Sequence, residues 1–237
     1  MRIATWNCQG GLDKKLDVIE ALNANILVVQ ECVQDNALAS TEGISSAWSP
    51  PYEGATKGSG VFARNGWSIT TLPRRDDLPW VFPVTIRNEG DMNEVTLLAV
   101  WTNKNRNDGR PSYADQFGSV LDAYGPLLTS GRTIIAGDLN ASMQGPSSEE
   151  HAHNLATVES LGLVSTYHHA NGIDHGNESD MTLKWIGQGR QEWFYHCDFI
   201  FVPTSMSTDI TCQVMPTFEW ERRVSDHQPV VAHLRSL

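Results

Sequence analysis

The sequence predicts an α/β protein made of two packed, mostly antiparallel β-sheets covered on the outside by helices. Three observations carry that reading. Short apolar segments of strand length recur along the chain, cut by Gly, Pro and Asn at hairpin-scale spacing. Stretches with apolar residues every three or four positions fall between runs of strands rather than in strict alternation with them. The 237 residues, 40% hydrophobic and 19% charged, suffice for a well-buried core in one domain over residues 1–237. No linker, low-complexity tract or fixed-period repeat divides them.

The first unit is a strand ending at Asn7, a loop Cys8-Gln9-Gly10-Gly11, and a helix over about residues 12–23, where Leu12, Leu16, Ile19 and Leu22 recur at helical spacing. The strand over 26–31 is apolar on both faces, as in a sheet interior, and closes on Glu31. Between residues 44 and 100 the pattern shortens into strands at 60–64, 67–72, 80–86 and 94–101, whose turn punctuation implies antiparallel pairing. A polar loop with three cations, 102–110, leads to a helix over about 112–128. The next strand, Ile134-Ile135-Ala136, runs into Gly137-Asp138-Leu139-Asn140. Beyond it lie a helix around 148–161 and strands at 163–167, 181–185, 196–202, 210–215 and 229–234, with a polar loop at 172–180.

No apolar run is long enough to cross a bilayer, and the N-terminus reads as a strand rather than a signal segment, so a cytoplasmic protein is expected. A net charge of −11 argues against a purely electrostatic nucleic-acid binder; phosphate attraction would have to come from local patches or bound cations. The four cysteines, at 8, 32, 197 and 212, lack the paired spacing of a zinc ribbon. They read as reduced, buried small hydrophobes, with the thiols of Cys8, Cys32 and Cys197 facing the layer behind their polar neighbours.

Alternation along an extended chain puts Asp138 and Asn140 on one side and Leu139 in the core. Taken alone, Gly-Asp-Leu-Asn also reads as an ordinary turn. Asn7, Glu31, Asp138, Asn140, Asp198, Asp226 and His227 all lie at or just beyond strand ends, giving four carboxylates, two carboxamides and one imidazole. Hard cations take oxygen ligands, so Glu31 and Asp226 with Asn7 suit a partly hydrated Mg²⁺ or Mn²⁺. Such an ion beside an Asp-His pair fits phosphate ester cleavage, which needs charge neutralisation, an activated water and donors aimed at developing charge.

Thr5-Trp6-Asn7, Gln30-Glu31, Gly58-Ser59-Gly60-Val61, Gly137-Asp138-Leu139-Asn140, Thr182, His196-Cys197-Asp198-Phe199-Ile200 and Ser225-Asp226-His227-Gln228-Pro229 stand in the order of a known family. Together they resemble the endonuclease/exonuclease/phosphatase superfamily, which includes DNase I, exonuclease III-type abasic endonucleases, neutral sphingomyelinases and inositol polyphosphate 5-phosphatases. The resemblance runs from residue 2 to about 234 and is nearest to small bacterial members. It implies a four-layered α/β sandwich. It also implies Glu31 as principal metal ligand, with Asn7 and Asp226 completing or orienting the site. By the same resemblance Asp138 orients or deprotonates the attacking water, Asn140 holds the water or a phosphoryl oxygen, and His227, oriented by Asp198, contacts the phosphate or transfers a proton.

Two positions depart from the family. Gln9 stands where many members carry an acid, which leaves a second metal in doubt. Trp101 stands where members tend to place Tyr or His, so a leaving-group acid must come from elsewhere, such as His196 or metal-bound water. Trp101, Asn103 and His196 are expected to contact substrate, although Trp101 could simply pack; His168 and His169 read as structural or surface residues. The sequence favours a monomeric nuclease acting on DNA. Lys104, Arg106, Arg110, Lys184, Arg222 and Arg223 could rim the cleft, and Trp101, Trp185, Trp193 and Trp220 could stack on bases. The alternatives are a phosphatase or phosphodiesterase of a small or lipid-headgroup phosphoester, and a non-catalytic binding module on the same fold.

Overall fold

A computed structural model describes residues 1–90, 94–103, 109–216 and 224–235. The first half of the chain forms β1 (Arg2–Asn7), α1 (Leu16–Leu22), β2 (Ile26–Cys32), β3 (Ser45–Ser49), β4 (Gly58–Ala63), β5 (Trp67–Thr71), β6 (Val81–Asn88), β7 (Glu94–Trp101) and α2 (Tyr113–Leu128). The second half adds β8 (Thr133–Asp138), α3 (Ser148–Ser160), β9 (Leu163–Ser165), α4 (Thr166–Asn171), β10 (Leu183–Ile186), β11 (Glu192–Tyr195), β12 (Asp198–Pro203), β13 (Thr211–Val214) and β14 (Val230–His233). Two six-stranded sheets result, in the orders β13-β14-β1-β2-β4-β3 and β5-β6-β7-β8-β12-β9, with β10 and β11 as a separate ribbon. Within the sheets only β1 with β2 and β7 with β8 run parallel.

The four-layered α/β sandwich follows from where the apolar side chains go. Ile3, Val28, Val84, Leu97, Ile134 and Ile200 fill the space between the sheets. Ile19 and Leu22 of α1 pack on the outer face of the first sheet, and Phe117, Val120 and Leu155 of α2 and α3 pack on that of the second. Each fully buried aliphatic side chain contributes about 1.5–3 kcal/mol of transfer free energy, so the layering is set by the inter-sheet core rather than by local propensity. A reciprocal capping box fixes the start of α2: the Ser112 hydroxyl accepts from the Asp115 N–H, and the Asp115 carboxylate accepts from Ser112.

Some local expectations change. The helix expected over 12–23 is a 3-10 turn at Leu12–Lys14 followed by α1, because Lys15 takes φ −134° and its ammonium reaches back to the Cys8 and Gly10 carbonyls. The strand expected over 163–167 stops at Ser165, where α4 begins and buries Tyr167 and His168. Strands β3 and β11 were not foreseen; β3 is a half-exposed sheet edge and β11 an exposed aromatic one, so neither shows clean alternation. Lys104, Arg106, Trp220, Arg222 and Arg223 lie outside the described residues. Among the described residues no helix is long and apolar enough to cross a membrane.

Candidate active site

The two sheets present strand ends at one common edge. The first contributes Asn7 at the end of β1, Glu31 near the end of β2, and Asp226 and His227 just before β14. The second contributes Asp138 at the end of β8 and Asp198 at the start of β12, which are register partners across that antiparallel pair. Gly137 allows the approach: a Cβ there would sit 1.8 Å from the Val100 carbonyl oxygen of the neighbouring strand. Glycine before Asp138 is therefore a packing requirement of the β7–β8 pair.

Asn7 joins the two halves of the site. Its Nδ2 donates to Glu31 Oε1 at 3.2 Å and to Asp138 Oδ2 at 2.9 Å, while its Oδ1 accepts from the Gln9 N–H at 3.0 Å. The carboxamide thus orients two carboxylates and turns its oxygen toward the loop. Glu31 is half-buried, sits at φ 61° where the β2–β4 register shifts, and pairs with Lys57 Nζ at 2.8 Å. Lys57 was not singled out from sequence.

Asp138 is fully buried and accepts two further bonds: the Asn140 N–H at 2.8 Å on Oδ1, and the Asn140 Nδ2 at 2.9 Å on Oδ2 beside Asn7. Asn140 meets Asp138 through a left-handed turn, φ 46°, rather than by strand alternation, and its Nδ2 also donates to the Thr102 carbonyl. Leu139 is buried as expected. His227 stands between two carboxylates, with Nδ1 2.8 Å from Asp198 Oδ2 and Nε2 3.9 Å from Asp138 Oδ2. The Nδ1 contact fixes the ring, so Nε2 is the nitrogen that can meet a substrate oxygen. Ser225 completes the local frame by donating to the Asn7 carbonyl and accepting the His227 N–H.

The electrostatics match that packing. Burial pushes the Asp138 carboxyl above its ordinary value; His227 opposes the shift and Asp198 adds to it. Burial acts to lower His227, but the charges of Asp198 and Asp138 and the Asp198 hydrogen bond prevail and hold it well above its ordinary 6.5. Asp226, half-buried, is raised by burial, with Glu31 contributing in the same direction. A raised carboxyl beside a raised imidazole is a pair suited to exchange protons near neutral pH.

Glu31, whose charge reaches Asp226, offers with it carboxylate oxygens of the kind a hard divalent ion takes. Lys57 already supplies a cation at the Glu31 carboxylate, and Asp198 Oδ1 is buried without a hydrogen-bond partner. Asp138, Cys197, Asp198 and His227 also approach one another closely enough to suggest a metal cluster. Burial and the Asp198 charge push the Cys197 thiol far up, so it stays protonated and is a poor ligand. Cys197 nevertheless lines the cleft instead of facing the layer behind, a correction to the strand-parity reading: it precedes β12 and does not follow its alternation. Cys8, Cys32 and Cys212 are free and buried, as expected.

His196 requires a second correction for the same reason. It is buried against Tyr167, His168 and Phe199, and its Nδ1 meets the Asp180 carbonyl oxygen at 2.8 Å, so it packs behind the site instead of reaching substrate. Trp101 and Asn103 do line a cleft of about 340 Å³, together with Glu31, Tyr52, Lys57 and Asn140. A neighbouring cleft of about 330 Å³ brings Leu183, Trp185 and Tyr195 of the ribbon beside Asn140. Tyr113, in the first turn of α2, faces both clefts, and burial raises its phenol so that it keeps its proton. Sequence gave no signal for Tyr113, since an aromatic residue at a helix start reads as packing. Elsewhere, His168 Nε2 meets Glu178 Oε1 at 2.9 Å, and Glu178 also accepts from Gly176 and Gln144, so this cluster anchors the loop after α4. His169 is exposed.

The sequence matches the model of the Endonuclease/Exonuclease/phosphatase family over residues 4–227. No curated protein matches it. Among solved structures it is similar to the AP endonuclease LMAP of Leishmania major (18% identity, 100% of this chain and 88% of that one, TM-score 0.74). It is also similar to the 3′-5′ exonuclease NExo of Neisseria meningitidis (21% identity, 99% of each chain, TM-score 0.71). An AP endonuclease of Archaeoglobus fulgidus is a further likeness (16% identity, 99% of each chain, TM-score 0.69). At these identities the structural likeness shows the shared fold.

Proposed function

Because the chain belongs to the endonuclease/exonuclease/phosphatase family, we propose that it is a divalent-metal-dependent phosphodiesterase that cleaves DNA. The observation that carries the reading is the Asn7 carboxamide, which ties Glu31 of one sheet to Asp138 of the other. A binding module has no use for a buried, raised carboxyl beside an imidazole. Glu31 and Asp226 would hold Mg²⁺ or Mn²⁺, which would neutralise phosphoryl charge and acidify a water. Asp138 takes the proton of the attacking water, Asn140 positions that water or a phosphoryl oxygen, and His227 Nε2 donates to the phosphate. Asp198 holds His227 in that orientation. The phenol of Tyr113, which lines both clefts and keeps its proton, donates to the leaving oxygen, the role that Trp101 cannot fill.

DNA is favoured as substrate by the named activities of the similar structures and by the exposed Trp185 and Trp193, which suit base stacking. The net charge of −11 favours the second reading, a small or lipid-headgroup phosphoester held in the apolar-walled cleft beside Asn140. We further propose one domain over 1–237 acting as a cytoplasmic monomer. The test is incubation with supercoiled plasmid, single-stranded DNA, RNA, bis-p-nitrophenyl phosphate and phosphomonoesters, each with Mg²⁺, Mn²⁺ or chelator. The expected result is metal-dependent nicking or digestion that chelator abolishes and that Glu31→Gln reduces to the chelator level. Cleavage of monoesters alone would replace the nuclease reading with a phosphatase, and no turnover would leave a binding module.

A further inference from the structure

We propose that Lys57 is a built-in counter-ion of the metal-binding carboxylate: it competes with the divalent ion for Glu31 and, when displaced, presents its ammonium to the substrate phosphate. The proposal rests on the metal-dependent reading of Glu31. Lys57 Nζ lies 2.8 Å from Glu31 Oε2, and among the described residues Glu31 is its hydrogen-bond and ion-pair partner. The Lys57 side chain is 43% exposed against 24% for Glu31, so the lysine end is free to swing while the carboxylate, held by Asn7, stays.

The surroundings define where the ammonium can go. The other nearby lysine, Lys15, donates to the Cys8 and Gly10 carbonyls and is not available. Gly10 leaves room for the end of the Lys57 side chain, since a Cβ there would sit 3.0 Å from Lys57 Cε and 3.1 Å from Nζ. On its open side Lys57 lines the cleft of about 340 Å³ with Tyr52, Trp101, Asn103 and Asn140, next to the catalytic Asp138. An ammonium at that wall is a charged donor for a phosphoryl oxygen in a protein whose net charge of −11 otherwise repels phosphate. Gln9, the exposed residue beside Gly10, brings no carboxylate that could retain the lysine.

The experiment measures Mn²⁺ affinity by electron paramagnetic resonance and orthophosphate affinity by calorimetry at saturating Mn²⁺, for wild type, Lys57→Met and Glu31→Gln. Methionine keeps the stem beside Gly10 and removes the charge. Removing a competitor worth no more than a half-exposed ion pair should tighten Mn²⁺ binding about 2–5-fold. Losing a charge-assisted hydrogen bond should weaken orthophosphate binding about tenfold. Unchanged or weaker Mn²⁺ binding in Lys57→Met would remove the competition, and unchanged phosphate binding would remove the substrate contact. Glu31→Gln tests the underlying reading separately: it should abolish Mn²⁺ binding and leave the full free-ion spectrum, and if it does not, the ion is not held by Glu31 and the proposal for Lys57 goes with it.

Discussion

Asp138→Ala is expected to lower kcat/KM by about 10²–10⁴-fold on any phosphodiester the protein cleaves, the range for removal of a positioned general base. The loss should fall on kcat, because the metal-binding carboxylates are untouched and Mn²⁺ affinity should move by no more than about threefold. The effect on stability should be small. Removing the carboxylate strips acceptors from Asn7 and Asn140, which costs about 1–3 kcal/mol for buried donors left unpaired. Against this, a buried carboxylate opposite Asp198 is itself destabilising, as its raised pKa records. Steady-state kinetics with thermal unfolding checks both halves; retention of most of the activity would assign the water to another residue.

Asp198→Asn is expected to reduce kcat by about 10²–10⁴-fold through His227. The wild-type imidazole is held above 6.5 chiefly by Asp198 and Asp138 acting against burial. A group whose pKa is raised by folding is charged below that raised value and loses its proton as pH climbs through it. The amide oxygen of the variant can still accept from His227 Nδ1 at the 2.8 Å position, but the negative charge is gone and Asp138 alone opposes burial, so the His227 pKa falls. If Nε2 donates to the phosphate, the alkaline limb of the pH–rate profile must move to lower pH in the variant, and histidine resonances followed by NMR must show the same displacement. A profile that only drops in height would reduce Asp198 to a packing role.

Much of this site was legible because its residues end strands, and strand ends are set by apolar runs that a sequence displays openly. Glu31 closes the run from Ile26, Asp138 closes the run through Ile135, and Asp226 and His227 precede the last buried strand. The layering was legible for the same reason. What failed was parity near a strand boundary. His196 and Cys197 precede β12, so counting alternate residues back from Asp198 sent His196 to the cleft and Cys197 away from it, the reverse of their positions. Lys57 and Tyr113 were invisible for a different reason: their importance comes from contacts made across the fold, with Glu31 26 residues away in one case and with two cleft walls in the other. Helix α4 escaped because β9 is a three-residue edge strand and the helix that follows it is too short to show a period.

Glu31, together with Asp226, is expected to hold a divalent ion next to the Asp138–His227–Asp198 group. Anomalous diffraction from crystals soaked in Mn²⁺ addresses it directly. The expected result is a peak within about 2.5 Å of a Glu31 carboxylate oxygen, with Lys57 swung away and Asp226 in the same coordination sphere or one water removed. A peak at the His168–Glu178 cluster alone, or none near Glu31 at saturating Mn²⁺, would rule out Glu31 as the metal ligand.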